Sequence, residues 1–326
     1  MVGIFKRNDA LAFASLLVLH LVLKIKVILH PPEIANLEKF YQGFFFQWKW
    51  LKQFYIASPG IYIFLSSILF FLFILYVNVI VNEERLFYRK SYVPALSLVL
   101  FSAFIPELCL FSTIFIANVF IFIAFAKTLL LYSHAKPRKA CFDIGLFVAL
   151  ASLFYFPAIL LIFLFILIFA LLRPLVIQEI FAFLIGILTS FYFAITLSYL
   201  LGNWTQIKSK LNFHLFLPLK INNPIIFISS TLVGILLLVY GMFLLNQHGP
   251  KNPIAVRKKW NAVVLYAFFG LLAGLFSSVF PGLPWLLAIT PFSIILSQTF
   301  QNNKEKFNIF TFYFIIIALI IGQWYT

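Results

Sequence analysis

Long apolar runs separated by short polar gaps follow one another along the whole chain. A helix needs roughly 20 apolar residues to cross a bilayer, and a shorter run can cross where a helix is broken. Lipid offers the backbone no hydrogen-bond partners, so these runs are expected to be helices rather than open strands. The pattern predicts spans over 10–29, 58–81, 92–105, 110–132, 142–156, 157–172, 175–200, 224–246, 261–280, 284–299 and 309–323.

Three of the predicted spans are short, and each borders a proline. They are the runs 92–105, 142–156 and 284–299, next to Pro106, Pro157 and Pro284. Such runs are typical of tight helical hairpins or half-helices, so the chain is expected to cross about eleven times, within a range of about nine to twelve. The predicted fold class is all-α, a polytopic transmembrane helical bundle.

Composition supports the same fold class. Hydrophobic residues make up 63% of the chain and charged residues 10%, whereas a soluble domain has roughly 45–50% and about 25%. One core cannot hide so many apolar side chains, because surface area grows nearly as fast as volume. No polar stretch is long enough to fold alone, so we expect a single membrane domain over 1–326.

The formal net charge is +15, from 24 Lys and Arg against 9 Asp and Glu. In a soluble protein this balance would indicate nucleic acid. Here the positive residues fall in gaps between apolar runs, where they set the orientation of a polytopic protein. With a cytoplasmic N-terminus, fifteen fall in cytoplasmic segments and eight on the far side. The sequence therefore predicts a cytoplasmic N-terminus, a C-terminus on the far side, membrane lipid as a partner and no nucleic acid.

Two predicted outer segments are long, 30–57 and 201–223. In the first, aromatic residues alternate with Lys39, Lys49 and Lys52, and the second has a similar composition. Aromatic rings at the boundary and ammonium groups in water are typical of a helix lying in the headgroup zone. Both segments are expected to be interfacial.

Charged residues near span ends are candidates for pairing, because unpaired charge in a membrane is costly. Glu179 lies six residues after Arg173, so the two can pair across the turn between them. Lys127 interrupts a span and can snorkel toward the inner end. No acidic partner for Lys127 is evident from the sequence.

Asp143 opens a predicted span and has two interpretations. In the first, it pairs with Arg138 or Lys139 or caps the N-terminus of the span, where a carboxylate is favoured. In the second, it joins Lys136 and Arg138 in a cluster at the cytoplasmic mouth that binds a phosphate headgroup. Arg173 and Glu179 would belong to the same substrate-binding region.

The outer segment also carries Glu33 and Glu38, five residues apart after the first span. This layout resembles the polyprenyl-phosphate-dependent glycosyltransferases of the multi-spanning GT-C type, in which an acid in the first outer loop acts as a base or metal ligand. The resemblance implies a catalytic role for the two carboxylates and a polyprenyl-phosphate-linked substrate. The Asp-Glu or Asp-Asp pair frequent in those enzymes is missing, and a solvated pair beside Lys39 is the alternative.

Other motifs add little chemistry. The five histidines show no metal-ligand spacing, and no GxSxG, GxGxxG or Walker sequence occurs, so no metal site is predicted, and the sequence does not indicate which cofactor, if any, the protein uses. Gly270 and Gly274 form a GxxxG, which lets two helices approach closely. We expect that motif to pack inside the protein rather than to form a dimer.

A stretch of the chain resembles a family of uncharacterised multi-pass proteins from the Bacteroidota. The resemblance covers roughly residues 80–200 and is carried by RKSYVPALSLVLFSAFIP, KACFDIGLFVALASLFYFPAILL and LLRPLVIQE, with FDIGLFVALASLFYFP the strongest fragment. It implies a bacterial inner membrane, with the C-terminus periplasmic, and gives no reaction.

Three functions remain open at this point. The first is an enzyme or carrier that handles a lipid-linked precursor of the cell envelope, most concretely by GT-C-like transfer. The second is a non-catalytic scaffold of an envelope-assembly machine. The third is a small-solute transporter, which would place buried polar pairs on broken helices near the midplane.

Overall fold

The structure is a computed structural model in which part of the chain is described. The described residues are 2–29, 49–103, 108, 110–131, 137–174, 176–200, 238–247, 252–275, 285–301 and 312–313. Among them the protein is helical and has no strand, which confirms the all-α prediction for this part of the chain.

The helices follow the apolar runs closely. They are α1 (Val2–Phe5), α2 (Ala10–Leu29), α3 (Lys49–Ala57), α4 (Pro59–Glu83), α5 (Val93–Ala103), α6 (Thr113–Leu130), α7 (Pro137–Phe154), α8 (Leu161–Leu172, after a 3-10 turn over Phe156–Leu160), α9 (Ile177–Leu200), α10 (Ile254–Leu275) and α11 (Leu286–Gln301). Residues 238–247 are also helical.

Three described helices, α4, α6 and α9, are long and apolar enough to cross a membrane, and several shorter helices are also apolar. The protein is therefore a helical protein associated with a membrane. The predicted runs 224–246 and 309–323 and the segment 201–223 lie wholly or largely outside the described residues.

Two helices begin well before the predicted spans. α7 begins at Pro137 rather than at residue 142, because proline is favoured in the first turn of a helix. α10 begins at Ile254 rather than at residue 261, so the sequence Arg257-Lys258-Lys259-Trp260 is helical and not part of a loop.

Predicted cytoplasmic segments meet at one end of the bundle, which we call the basic end. It is joined by contacts between different helix ends: Lys259 with Glu84, Lys258 with Leu172, Arg138 with Gln178, Lys127 with Asp143, and Ser91 with Gln301. The described helices that these contacts join therefore alternate in direction.

The opposite end, called the far end, is joined by tyrosines. The Tyr62 hydroxyl donates to the Phe111 carbonyl at 2.7 Å, and the Tyr155 hydroxyl donates to the Ala273 carbonyl at 3.1 Å. α3, the described part of the predicted interfacial segment 30–57, packs here through Tyr55 against Tyr62. The rest of that segment, with Glu33 and Glu38, lies outside the described residues.

The interior is built from interlocking aromatic rings. Phe73 of α4 meets Phe115 and Phe122 of α6 edge-on at 5.9 and 5.8 Å between ring centroids. α9, by contrast, leaves large apolar side chains such as Leu188 and Phe193 exposed. A helix with such a face needs an apolar solvent, which the acyl chains of a bilayer provide.

Two charged or ionisable side chains of α2 are buried rather than solvated. Lys24, predicted as a far-side charge, is fully buried, and its ammonium donates to the Ser102 carbonyl at 2.8 Å. His20 is also buried and bonds through Nε2 with the Ser67 hydroxyl at 2.9 Å. α2 therefore turns a polar face toward α4 and α5, and only the burial of Lys24 departs from what the charge pattern predicts.

Helices α7 and α9 pack with their backbones in close contact at two glycines. A Cβ on Gly145 would overlap the Phe183 carbonyl oxygen, and one on Gly186 would overlap the Phe142 carbonyl oxygen. Gly270 of the predicted GxxxG makes a similar approach, since a Cβ there would lie 2.8 Å from the Leu287 carbonyl oxygen of α11. This confirms that Gly270 packs inside the protein.

We expect Gly186→Ala to lower the free energy of unfolding by about 2 kcal/mol, because the new methyl group must push α7 and α9 apart. Unfolding of purified protein in detergent measures the change. Gly60→Ala is the matched control: it is also helical, and its Cβ would meet only the Ile28 carbonyl at 3.9 Å. Equal stability of the two variants would contradict the close approach.

Candidate functional site

The first turns of α10 connect three other parts of the basic end. The Lys258 ammonium donates to the Leu172 carbonyl in the last turn of α8 at 2.9 Å. The last carbonyls of a helix have no partner within the helix, and a cation is favoured beside them. Lys258 therefore completes the end of α8.

Lys259 and Trp260 hold the segment that follows α4. The Lys259 ammonium lies 2.7 Å from the Glu84 carboxylate, and the Trp260 indole N–H donates to the Leu86 carbonyl at 3.1 Å. Phe87 packs edge-on against the Trp260 ring at 5.4 Å between centroids. The turn also needs a left-handed backbone at Arg85, whose φ is 51°, and these contacts hold it in place.

Arg257, which directly precedes Lys258, lines an open cavity of about 430 Å³. We call it the Arg257 cavity. It lies between α10 and the helical residues 238–247. Among the described residues, its lining comprises Met242, Leu245, Asn246, Asn252, Arg257, Trp260, Asn261 and Val264.

The lining changes from polar to apolar with distance from the basic end along the helices. On α10, Arg257 and Asn261 come before Val264, which lies about 10 Å farther along the helix axis from Arg257. On residues 238–247, Asn246 lies about 6 Å nearer the basic end than Met242. The cavity is therefore amphipathic, with a guanidinium and amides toward the basic end and Met242 and Val264 farther along the helices.

The pair of Arg173 and Glu179 predicted from the sequence is present. The guanidinium lies 3.2 Å from the carboxylate, and Glu179 is buried. Arg138 contacts the side-chain oxygen of Gln178, next to this pair. Lys136 lies outside the described residues, as do Glu33 and Glu38.

Asp143 has a partner that the sequence did not suggest. Its carboxylate lies 2.8 Å from the ammonium of Lys127 on α6, rather than beside Arg138 or Lys139. The capping interpretation is wrong, because α7 begins at Pro137 and Asp143 lies in its second turn. Lys127 therefore does have an acidic partner, contrary to the sequence analysis.

A buried polar pair lies within the bundle. The Asn118 amide on α6 donates to the Thr290 hydroxyl on α11 at 3.0 Å, and both residues are fully buried. Pro291 follows directly inside α11. Proline removes one backbone donor, and the freed carbonyl is that of Leu287, which faces Gly270.

Comparison with known proteins identifies the family. The model of a family of unknown function, DUF6427, matches residues 39–325. The chain belongs to this family. No curated protein and no solved structure matches it. The DUF6427 match agrees with the resemblance of residues 80–200 to an uncharacterised family and extends it over nearly the whole chain.

The sequence analysis missed the Arg257 cavity in this DUF6427 member. It treated Arg257, Lys258 and Lys259 only as charges that set orientation. A signal was available, because the tetrad Arg-Lys-Lys-Trp stands before an apolar run with Asn252 and Asn261 on either side. Helical spacing then sends these side chains to different neighbours, but which neighbours they reach is decided by tertiary packing.

We expect Lys259→Met to lower the free energy of unfolding by about 3 kcal/mol, because it leaves the Glu84 carboxylate buried without its partner. Lys127→Met should cost less than about 1 kcal/mol, since both members of that pair are about one-third exposed. Unfolding titrations in detergent measure both. The double variant Glu84→Gln/Lys259→Met should recover part of the loss, and a purely additive double variant would contradict the pair.

Proposed function

We propose that this protein is a carrier or enzyme of the bacterial inner membrane that handles a lipid-linked precursor of the cell envelope. The observation that supports this is the polar-to-apolar gradient of the Arg257 cavity. A ligand suited to it has an anionic head and an apolar tail, as a polyprenyl-phosphate-linked molecule does. We further propose that the basic end faces the cytoplasm, with the N-terminus cytoplasmic and the C-terminus periplasmic.

The charge of the cavity favours a phosphate head. Arg257 brings a guanidinium, which binds phosphate through two parallel N–H groups. Asn246, Asn252 and Asn261 add amide donors, and no carboxylate is among the described lining residues. Met242, Leu245 and Val264 then offer an apolar wall to the first part of the tail.

The GT-C-like form of this proposal assigns catalysis to Glu33 and Glu38. The described residues flanking them, Leu29 and Lys49, end α2 and begin α3 toward the far end, whereas the Arg257 cavity opens at the basic end. Binding or movement of the lipid-linked molecule is therefore supported by the geometry, and glycosyl transfer rests on the resemblance alone.

We expect Arg257→Gln to weaken binding of a polyprenyl phosphate about tenfold or more, because a charge-assisted contact with phosphate is lost. The measurement is a titration of purified protein in detergent with a short-chain polyprenyl phosphate. Lys139→Gln is the control, since Lys139 is exposed at the same end and does not line the cavity. If both variants bind as tightly as the wild type, the cavity is not the site.

A separate experiment tests the catalytic form. Glu33→Ala and Glu38→Ala, alone and together, should abolish function in vivo if a carboxylate there takes the proton of an acceptor hydroxyl. If the double variant keeps full function while Arg257→Gln is inactive, glycosyl transfer is excluded and the carrier function is retained as the proposal.

The buried pair of Asn118 and Thr290 favours a second candidate, a small-solute transporter. The pair lies beside Pro291 within the continuous helix α11, and buried polar groups near a proline that disturbs a helix are typical of transport paths. Asn118→Leu would then stop uptake of a solute into proteoliposomes without changing polyprenyl phosphate binding. Under the lipid-carrier proposal the same variant changes stability and leaves lipid handling intact.

A further inference from the structure

A second open cavity lies at the basic end, on the other side of the segment that follows α4. Its volume is about 350 Å³, and we call it the Glu83–Lys90 cavity. It is lined by Asn8, Phe13, Leu75, Asn78, Val79, Asn82, Glu83, Lys90 and Tyr92.

The lining of this cavity also becomes more apolar with distance from the basic end, although Asn78 is a polar exception. On α4, Glu83 and Asn82 end the helix, and Leu75 lies about 12 Å farther in along the axis from Glu83. Toward α2 the order is the same, because Asn8 precedes the helix and Phe13 lies in its first turn, where its ring is exposed. The headgroup of a lipid that enters from the bilayer would contact the polar side chains, and its acyl chain would contact the apolar ones.

Its charge differs from that of the Arg257 cavity. Glu83 and Lys90 bring a carboxylate and an ammonium to one cavity, and both side chains are exposed. Among the described residues no ion pair within 4 Å joins these two. Each can therefore meet a separate group of opposite charge on a bound molecule.

Two asparagines already have structural partners. Asn82 donates to the Ser91 carbonyl at 3.0 Å and accepts from the Ser91 N–H at 3.1 Å, so both ends of its amide are used. Asn78 accepts from the Ala95 N–H at 3.4 Å. These bonds fix the segment that carries Lys90 and Tyr92 over the cavity, while Glu83, Lys90 and Asn8 stay at its mouth.

We infer that the Glu83–Lys90 cavity binds a zwitterionic headgroup in which a phosphate and a primary ammonium lie close together, namely phosphoethanolamine, carried by a membrane lipid. Glu83 accepts hydrogen bonds from the ammonium. Lys90 and the Asn8 amide donate to the phosphate. The acyl chain lies against Phe13, Leu75 and Val79.

The alternatives fit less well on charge. An anionic lipid would satisfy Lys90 and be repelled by Glu83, and a cation would be repelled by Lys90. A quaternary choline ammonium has no N–H to donate, so it forms no hydrogen bond to Glu83. The two cavities thus differ in selectivity: the Arg257 cavity suits an anion, and the Glu83–Lys90 cavity suits a zwitterion. This inference does not depend on the proposed function.

The test is lipid-dependent stability of the full chain, delipidated in detergent. Phosphatidylethanolamine should raise the unfolding midpoint, and phosphatidylcholine and phosphatidylglycerol should raise it less. Glu83→Gln and Lys90→Gln should each weaken apparent binding of phosphatidylethanolamine about tenfold, as expected for one charge-assisted hydrogen bond. Soluble phosphoethanolamine is titrated in parallel, and a much weaker response to it identifies the lipid as the source.

Asp9→Asn is the matched control, because Asp9 is an exposed acid at the same end that does not line the cavity. It should keep the preference for phosphatidylethanolamine. Because Glu83 and Lys90 are exposed, we expect both variants to fold, and an unfolding transition measured without lipid checks this. An equal response to the three lipids in the wild type, or an unchanged preference in both Glu83→Gln and Lys90→Gln, would overturn the inference.

Discussion

In an apolar solvent, a polar group that leaves water needs a partner within the chain, and this requirement organises the basic end. The carbonyls at helix ends are the groups most in need, because the helix itself does not satisfy them. α10 meets the need with side chains from consecutive positions: Lys258 reaches the end of α8, and Lys259 and Trp260 reach the segment after α4. Helices far apart in sequence are thereby joined at their ends.

Both cavities are bordered by residues that these contacts hold in place. Trp260 lines the Arg257 cavity while its indole holds Leu86, and the segment that begins there carries Lys90 and Tyr92 over the Glu83–Lys90 cavity. The segment over residues 84–92 therefore lies between two amphipathic cavities of different charge.

Much of the helical structure could be predicted from the sequence, because the apolar runs themselves are the signal. α2 has the bounds that its run predicts, and the pair of Arg173 and Glu179 was accessible because six residues and one turn separate the two. The pair of Lys127 and Asp143 was not, since its members lie on different helices and nothing local brings them together. The same holds for Gly145 and Gly186, whose close approach depends on how α7 and α9 face each other. The candidate site could not be predicted for a related reason. A count of charges treats Arg257 and its neighbours as one basic cluster, whereas their different directions around the helix bring them to different partners.

The proposed orientation places the basic end in the cytoplasm and the far end on the opposite side of the membrane. Single cysteines test it most directly, in a Cys109→Ser/Cys141→Ser background. Tyr88→Cys places a thiol at a fully exposed position of the basic end, and Gln53→Cys places one on exposed α3. In intact spheroplasts, a membrane-impermeant maleimide should label Gln53→Cys at once and Tyr88→Cys only after permeabilisation. Labelling of both from the same side, or of Tyr88→Cys alone, would contradict the account.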